Sequence, residues 1–249
     1  MVRQHVVHRR STRPAMSLVQ LLAERRHILL DFDGPVCAVF PGRGSQAAAD
    51  AVRRALGAAE WRKILPDRVG YSEDPFDVLR YASDRLDREK AEQAEKALTQ
   101  YEIASVRQVP PTLGALDAIA TLRATGHTIT IVSNNSEAAI GEFIERYGLG
   151  PDVDGIAARA GFQARRLKPE PCLLYQAIEQ LGAKPGECVL VGDSITDIQA
   201  ARAADVAVIA FANKPGKDRA LRSFEPDAVI ASMSELDTAA RMKHQSQVD

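Results

Sequence analysis

The sequence predicts an α/β fold: a doubly wound, mostly parallel sheet with an all-helical segment inserted after the first strand. Three observations carry this expectation. From Arg26 onward, short β-rich apolar runs alternate with helical stretches, the pattern of a sheet layered with crossover helices. Three of those stretches stop at Gly126, Gly148 and Gly182, and glycine ends helices well because it adopts the left-handed conformation without strain. Between Asp33 and Val109 the alternation fails, leaving only helical segments divided by Pro and Gly.

The strands are expected at His27 to Asp31, Thr128 to Val132, Cys188 to Val191, Val206 to Ala210 and Ala228 to Ala231. Helices follow over Thr112 to Thr125, Ser136 to Tyr147 and Pro171 to Leu181, and two more start near Ser194 and Ser234. The inserted pieces are Ser45 to Leu56, Ala59 to Leu65, Pro75 to Leu86 and Arg88 to Val106. Asp74 followed by Pro75 is a capping pair, which gives Asp74 a structural task before any catalytic one.

The chain has 249 residues, 45% of them hydrophobic, which is enough for an ordinary core. Its formal net charge of -1 gives no overall attraction to nucleic acid or an acidic membrane, so the expected partner is a small molecule. No apolar run approaches the roughly 20 residues of a membrane span. Cys37, Cys172 and Cys188 are scattered without metal or disulfide spacing, which suits a reducing cytoplasm. The opening MVRQHVVHRRSTRPAMS is rich in Arg and His and has little periodicity, so it is expected to be a solvated tail rather than a nucleic-acid arm.

In a doubly wound sheet, ligands bind beyond the carboxyl ends of the strands. Here HILL ends in Asp31-Phe32-Asp33-Gly34, ITIV ends in Ser133-Asn134-Asn135, and CVLV ends in Gly192-Asp193-Ser194 with Asp197 beyond. Lys168-Pro169-Glu170-Pro171 precedes the helix before the third of these strands. Each alone has an ordinary reading: a helix cap for Ser133, an exposed loop cation for Lys168, a first-turn acid for Asp197. Together, Asp31, Asp33 and Asp193 should converge at one sheet edge and repel unless a cation lies among them. An all-oxygen donor set suits Mg²⁺ and points to phosphoryl chemistry.

The ordered set DFDG, IVSNN, KPEP and GDSITD resembles the four motifs of haloacid dehalogenase-like hydrolases, and the resemblance covers nearly the whole chain after residue 26. The helical segment after the first motif resembles the cap of the phosphoglycolate phosphatase-like branch. The expected divisions are an unstructured extension at 1–25, a catalytic core at 26–36 and 110–249, and a helical cap at 37–109. The resemblance implies Asp31 as nucleophile, Asp33 as general acid and then base, and Ser133 and Lys168 as holders of the phosphoryl group. It implies Mg²⁺ ligation by Asp31, the Asp33 carbonyl and Asp193, supported by Asp197 through a water or hydrogen bond. The amides of residues 32 to 34, Phe32 and Gly34 among them, and the Ser133-Asn134 turn should cradle the phosphate. Asp33 favours phosphate transfer over dehalogenation, because family dehalogenases lack an acid there.

Pro35 departs from the family's usual Thr or Val and removes one backbone donor from the loop. The expected reaction is hydrolysis of a small phosphomonoester. A phosphomutase and a non-catalytic binding protein of the same fold are the alternatives. Arg43, flanked by Gly42 and Gly44, is either an exposed hinge residue or a fork that grips a second anionic group of the substrate.

Overall fold

The computed structural model describes residues 16–57, 65–161 and 163–248. Helix α1, Leu18–Glu24, comes first. Ser17 and Gln20 form a capping box in which each side chain accepts the other's backbone N–H. Leu21 and Leu22 are completely buried and α1 packs along α11, Ser234–Val248. This corrects the expectation of an unstructured extension for residues 18–24, while the first fifteen residues lie outside the described part. The spacing of Leu18, Leu21 and Leu22 after a Ser-x-x-Gln box was the signal for this helix.

Strand β1, His27–Leu30, is the centre of a six-stranded, fully parallel sheet. The order is β3-β2-β1-β4-β5-β6, with β2 at Thr128–Ser136, β3 at Gly155–Arg159, β4 at Cys188–Gly192, β5 at Ala207–Phe211 and β6 at Ala228–Ile230. His27 is in register with Thr128 on one side and with Cys188 on the other. The central strands are buried on both faces: in β1, Ile28 and Leu30 enter one apolar layer, Leu29 the opposite one. Side chains alternate across a strand, so a strand covered on both sides reads as an unbroken apolar run. β3 escaped prediction because its Gly155-Ile156-Ala157-Ala158 sequence carries a single branched residue, Ile156, among small ones and no aromatic residue.

Between β1 and β2 the described segment from 37 to 109 contains helices only: α2 Gly44–Ala55, α3 Asp67–Gly70, α4 Pro75–Arg85 and α5 Arg88–Val106. The Asp74 side chain accepts the Phe76 N–H at 2.8 Å with Pro75 in the first turn, the capping role expected of it. The helix expected over Ala59 to Leu65 lies, Leu65 apart, outside the described residues. α6, Ala115–Ala124, begins three residues later than expected, because Gly114 is left-handed and Thr112 donates instead to Gly34 O at 2.6 Å. The core continues with α7 Glu137–Tyr147, α8 Cys172–Leu181, α9 Ile195–Ala203 and α10 Lys217–Arg222. Among the described residues, no helix is long and apolar enough to cross a membrane.

Candidate active site

The order β2-β1-β4 brings the ends of three consecutive neighbours together. Beyond β1, Asp31 extends the strand's pairing by donating its N–H to Val191 O at 2.9 Å. The chain then turns on Gly34 at φ 111°. A Cβ at Gly34 would stand 2.5 Å from the Asp193 carboxyl carbon, so only glycine lets the β1 loop lie against the end of β4. Pro35 is accommodated because the turn is closed by the Val36 and Cys37 N–H groups, both donating to Phe32 O. The Gly34 N–H donates to Cys37 O at 2.7 Å. That bond corrects the expectation that Gly34 offers a free amide to a phosphate.

Lys168 is the hinge of the arrangement. It is 2% exposed, which rules out the ordinary reading of a solvated loop cation. Its Nζ donates to Asp31 Oδ1 at 2.8 Å, Asp197 Oδ1 at 2.6 Å and Val132 O at 2.9 Å, using all three hydrogens. Burial alone would favour the neutral amine, but Asp197 and Asp31 outweigh it and hold the ammonium charged. Its backbone is held equally firmly. Lys168 N–H donates to Asn134 Oδ1 at 2.7 Å, and Lys168 O accepts from Asn134 Nδ2 at 3.1 Å and from Arg80 of α4 at 2.8 Å. The Asn134 side chain is thus engaged with the lysine backbone.

Ser133 is buried and hydrogen-bonded to Asn135, while the cap of α7 is Ser136. Ser133 is therefore not the helix cap. Asp197 combines two tasks: its Oδ2 accepts from the Ser194 N–H at 3.0 Å in a capping box, and its Oδ1 binds Lys168. A Cβ at Gly192 would stand 2.5 Å from the Asp197 carboxyl carbon.

The carboxylates that meet are Asp31, Asp193 and Asp197, whose oxygens lie within 4.8 Å of one another. The sequence pointed to Asp33 as the third member. Its carboxylate instead accepts the Val39 N–H at 2.8 Å, drawn there because the turn brings that amide back over it. Asp193 is held by Asn213 at 2.9 Å and Lys217 at 2.5 Å, two residues that the sequence reading did not single out. Burial, then the charge of Asp197, push the Asp31 carboxyl upward, with Lys168 pulling it back and Asp193 adding to the rise. Burial and the nearby Asp193 push Asp33 up to about 7. Arg43 stands exposed at the start of α2, without a capping hydrogen bond from its side chain.

A family model described as haloacid dehalogenase-like hydrolase matches residues 23–205. The chain belongs to that family. As a haloacid dehalogenase-like hydrolase it is 31% identical to a phosphoglycolate phosphatase of Neisseria meningitidis over 84% of this chain and 91% of that one. It is 36% identical to a phosphoglycolate phosphatase of Mesorhizobium japonicum, but that match spans only 51% of this chain and 54% of the relative's length. The solved structure of a predicted phosphatase from Clostridium acetobutylicum superposes with a TM-score of 0.65 at 16% identity, over 88% of this chain and 99% of that one. At that identity the likeness concerns the fold.

The converging carboxylates suit a divalent cation. Among the described residues, the group that converges is made of the Asp31, Asp193 and Asp197 carboxylates, an oxygen-donor set suited to a hard ion.

Proposed function

We propose that this hydrolase is a Mg²⁺-dependent phosphatase that cleaves a small phosphomonoester through an aspartyl phosphate on Asp31. The observation that carries the reading is the Lys168 ammonium held between Asp31 and Asp197 beside Asp193. A positive group next to the nucleophile relieves the repulsion between a carboxylate and a phosphate dianion. Asp31, the Asp33 carbonyl and Asp193 would hold Mg²⁺, with Asp197 in support. When bound, it adds positive charge against the phosphoryl oxygens and the carboxylates.

In the first step a carboxylate oxygen of Asp31 bonds to phosphorus while the bond from phosphorus to the alcohol oxygen breaks. Asp33, raised to about 7, gives its proton to that oxygen. In the second step Asp33 takes a proton from water, whose oxygen attacks phosphorus and frees Asp31 and inorganic phosphate. Ser133, Lys168 and the Phe32, Asp33 and Asn134 amides would orient the phosphoryl oxygens. The helices between residues 37 and 109 would act as a cap over the leaving group, with Arg80 linking α4 to the Lys168 backbone. Three free cysteines fit a reducing compartment such as the cytoplasm.

The test is release of phosphate from a panel of phosphomonoesters by the full chain, with Mg²⁺ and with excess chelator. Turnover that depends on Mg²⁺ and disappears in Asp31→Asn supports the reading. Full activity in chelator, or in Asp31→Asn, would refute it.

A further inference from the structure

The end of β2 is fastened from behind by a buried ionic cluster to which the reaction above assigns no part. Arg159, the last residue of β3, is 3% exposed. Its Nε donates to Asn134 O at 2.9 Å, and its Nη2 donates to Glu102 Oε2 at 2.5 Å. Its Nη1 reaches Glu95 and, at 3.5 Å, Thr99 Oγ1. Glu102 is completely buried on α5. Besides Arg159 it accepts from Asn135 Nδ2 at 3.1 Å and from the Ser136 N–H at 2.9 Å.

Stability alone gives little reason for such a pair, since well-packed apolar residues of similar volume often serve as well. Its placement is more telling. Between them Arg159 and Glu102 bond to Asn134, Asn135 and Ser136, three consecutive residues at the end of β2, which carries Ser133. Ser133 is tied to Asn135, and the Asn134 side chain brackets the Lys168 backbone. Both groups proposed to hold the phosphoryl are therefore one residue removed from the cluster, and α5 is the helix that leads out of the insert into the core.

We infer that Arg159 and Glu102 are positioning residues, which lock the end of β2, residues 133–136, to α5 and thereby set Ser133 and Lys168 relative to Asp31. The catalytic meaning of this clamp rests on the phosphatase reading. Its mechanical content does not.

The experiment compares full-length wild type with Glu102→Gln, Arg159→Lys and the apolar pair Glu102→Leu/Arg159→Met. It measures kcat and KM together with amide hydrogen exchange. Glu102→Gln keeps the shape and loses the charge, while Arg159→Lys keeps the charge and loses the planar fork. In folded variants kcat should fall roughly tenfold to 10²-fold, as expected when reacting groups are slightly misplaced, with KM changing much less. The Ser136 and Lys168 amides should exchange faster, while those of β4 stay as in wild type. A folded variant with wild-type kcat, or with unchanged exchange at Ser136 and Lys168, would overturn the clamp. So would failure of all three to fold, because the pair would then be structural. If wild type itself turns over no phosphate ester, the phosphatase reading falls and exchange alone decides the clamp.

Discussion

Lys168 Nζ lies 2.8 Å from Asp31 Oδ1, and the same ammonium group is 2.6 Å from Asp197. One cation thus holds the proposed nucleophile and a fully buried carboxylate in place at once. Lys168→Met should lower turnover by about 10² to 10³, as loss of a positioned electrostatic group does. Stability should fall by about 3–5 kcal/mol because two carboxylates lose their partner in the interior. Steady-state kinetics and a urea denaturation curve measure both. Turnover within a factor of a few of wild type would remove Lys168 from the phosphoryl site.

Asp33 differs from Asp31 in needing its proton. Asp33→Asn should slow turnover by on the order of 10² to 10⁴, with poor leaving groups suffering most. Burial and Asp193 raise the Asp33 carboxyl, so the protonated donor is retained toward neutral pH and lost as pH climbs further. The kcat/KM profile on a poor leaving group should accordingly fall on its alkaline side. That limb should be missing from Asp33→Asn, and equal losses on good and poor leaving groups would contradict the acid role.

Gly192 has no room for a methyl group. The added Cβ would overlap Asp197, which is fully buried and fixed by Ser194 and Lys168. Gly192→Ala should therefore cost about 1–3 kcal/mol and slow turnover by shifting Asp197 off Lys168. Calorimetry and kinetics on the same preparation check it. Unchanged melting and rate would mean that the end of β4 has slack.

The amino terminus should show a sharp boundary. Deleting residues 1–15 should leave the kinetic constants nearly unchanged. Deleting residues 1–25 removes α1, with Leu21 and Leu22 fully buried and Leu22 O hydrogen-bonded to His127 Nε2 at 3.0 Å. Losing two buried leucines costs on the order of 3–6 kcal/mol. Equal melting temperatures for both truncations would show that α1 contributes nothing.

For Arg43, exposed between Gly42 and Gly44, the expectation is a role in substrate choice. Arg43→Ala should weaken kcat/KM for an anionic substrate by roughly tenfold, about 1.4 kcal/mol, and spare an ester with a neutral body. Equal effects on both, or none, would make it a hinge residue.

The parts of this site that could be read from sequence are those that local order dictates. Asp31, Ser133 and Asp193 each follow an apolar run that is buried on both faces, and a polar residue ending such a run stands at the rim of the sheet. Asp74 could be read as a cap for a similarly local reason. What escaped depends on approach through space. Asn213 and Lys217 reach Asp193 from the segment after β5, and Glu102 meets Arg159 across 57 residues. Nothing in the neighbouring sequence of either announces the partner. The side chain of Asp33 likewise turned to an amide that only the folded loop presents.

The central place of β1 has a consequence for how the chain folds. Asp31 and Lys168 are separated by 137 residues, and β1 is flanked by strands that come much later in synthesis. A growing chain therefore carries an apolar strand with two open edges until β2 and then β4 have emerged. Contacts of such long range require the closure entropy to be met before they stabilise anything, and unpaired edges invite pairing with other chains. Refolding should be slower than in a helical protein of this size, with aggregation rising with concentration during the delay. The cluster of charges at the sheet edge can assemble only after that interval, so the capacity for chemistry arrives with the closing of the sheet and in no shorter fragment.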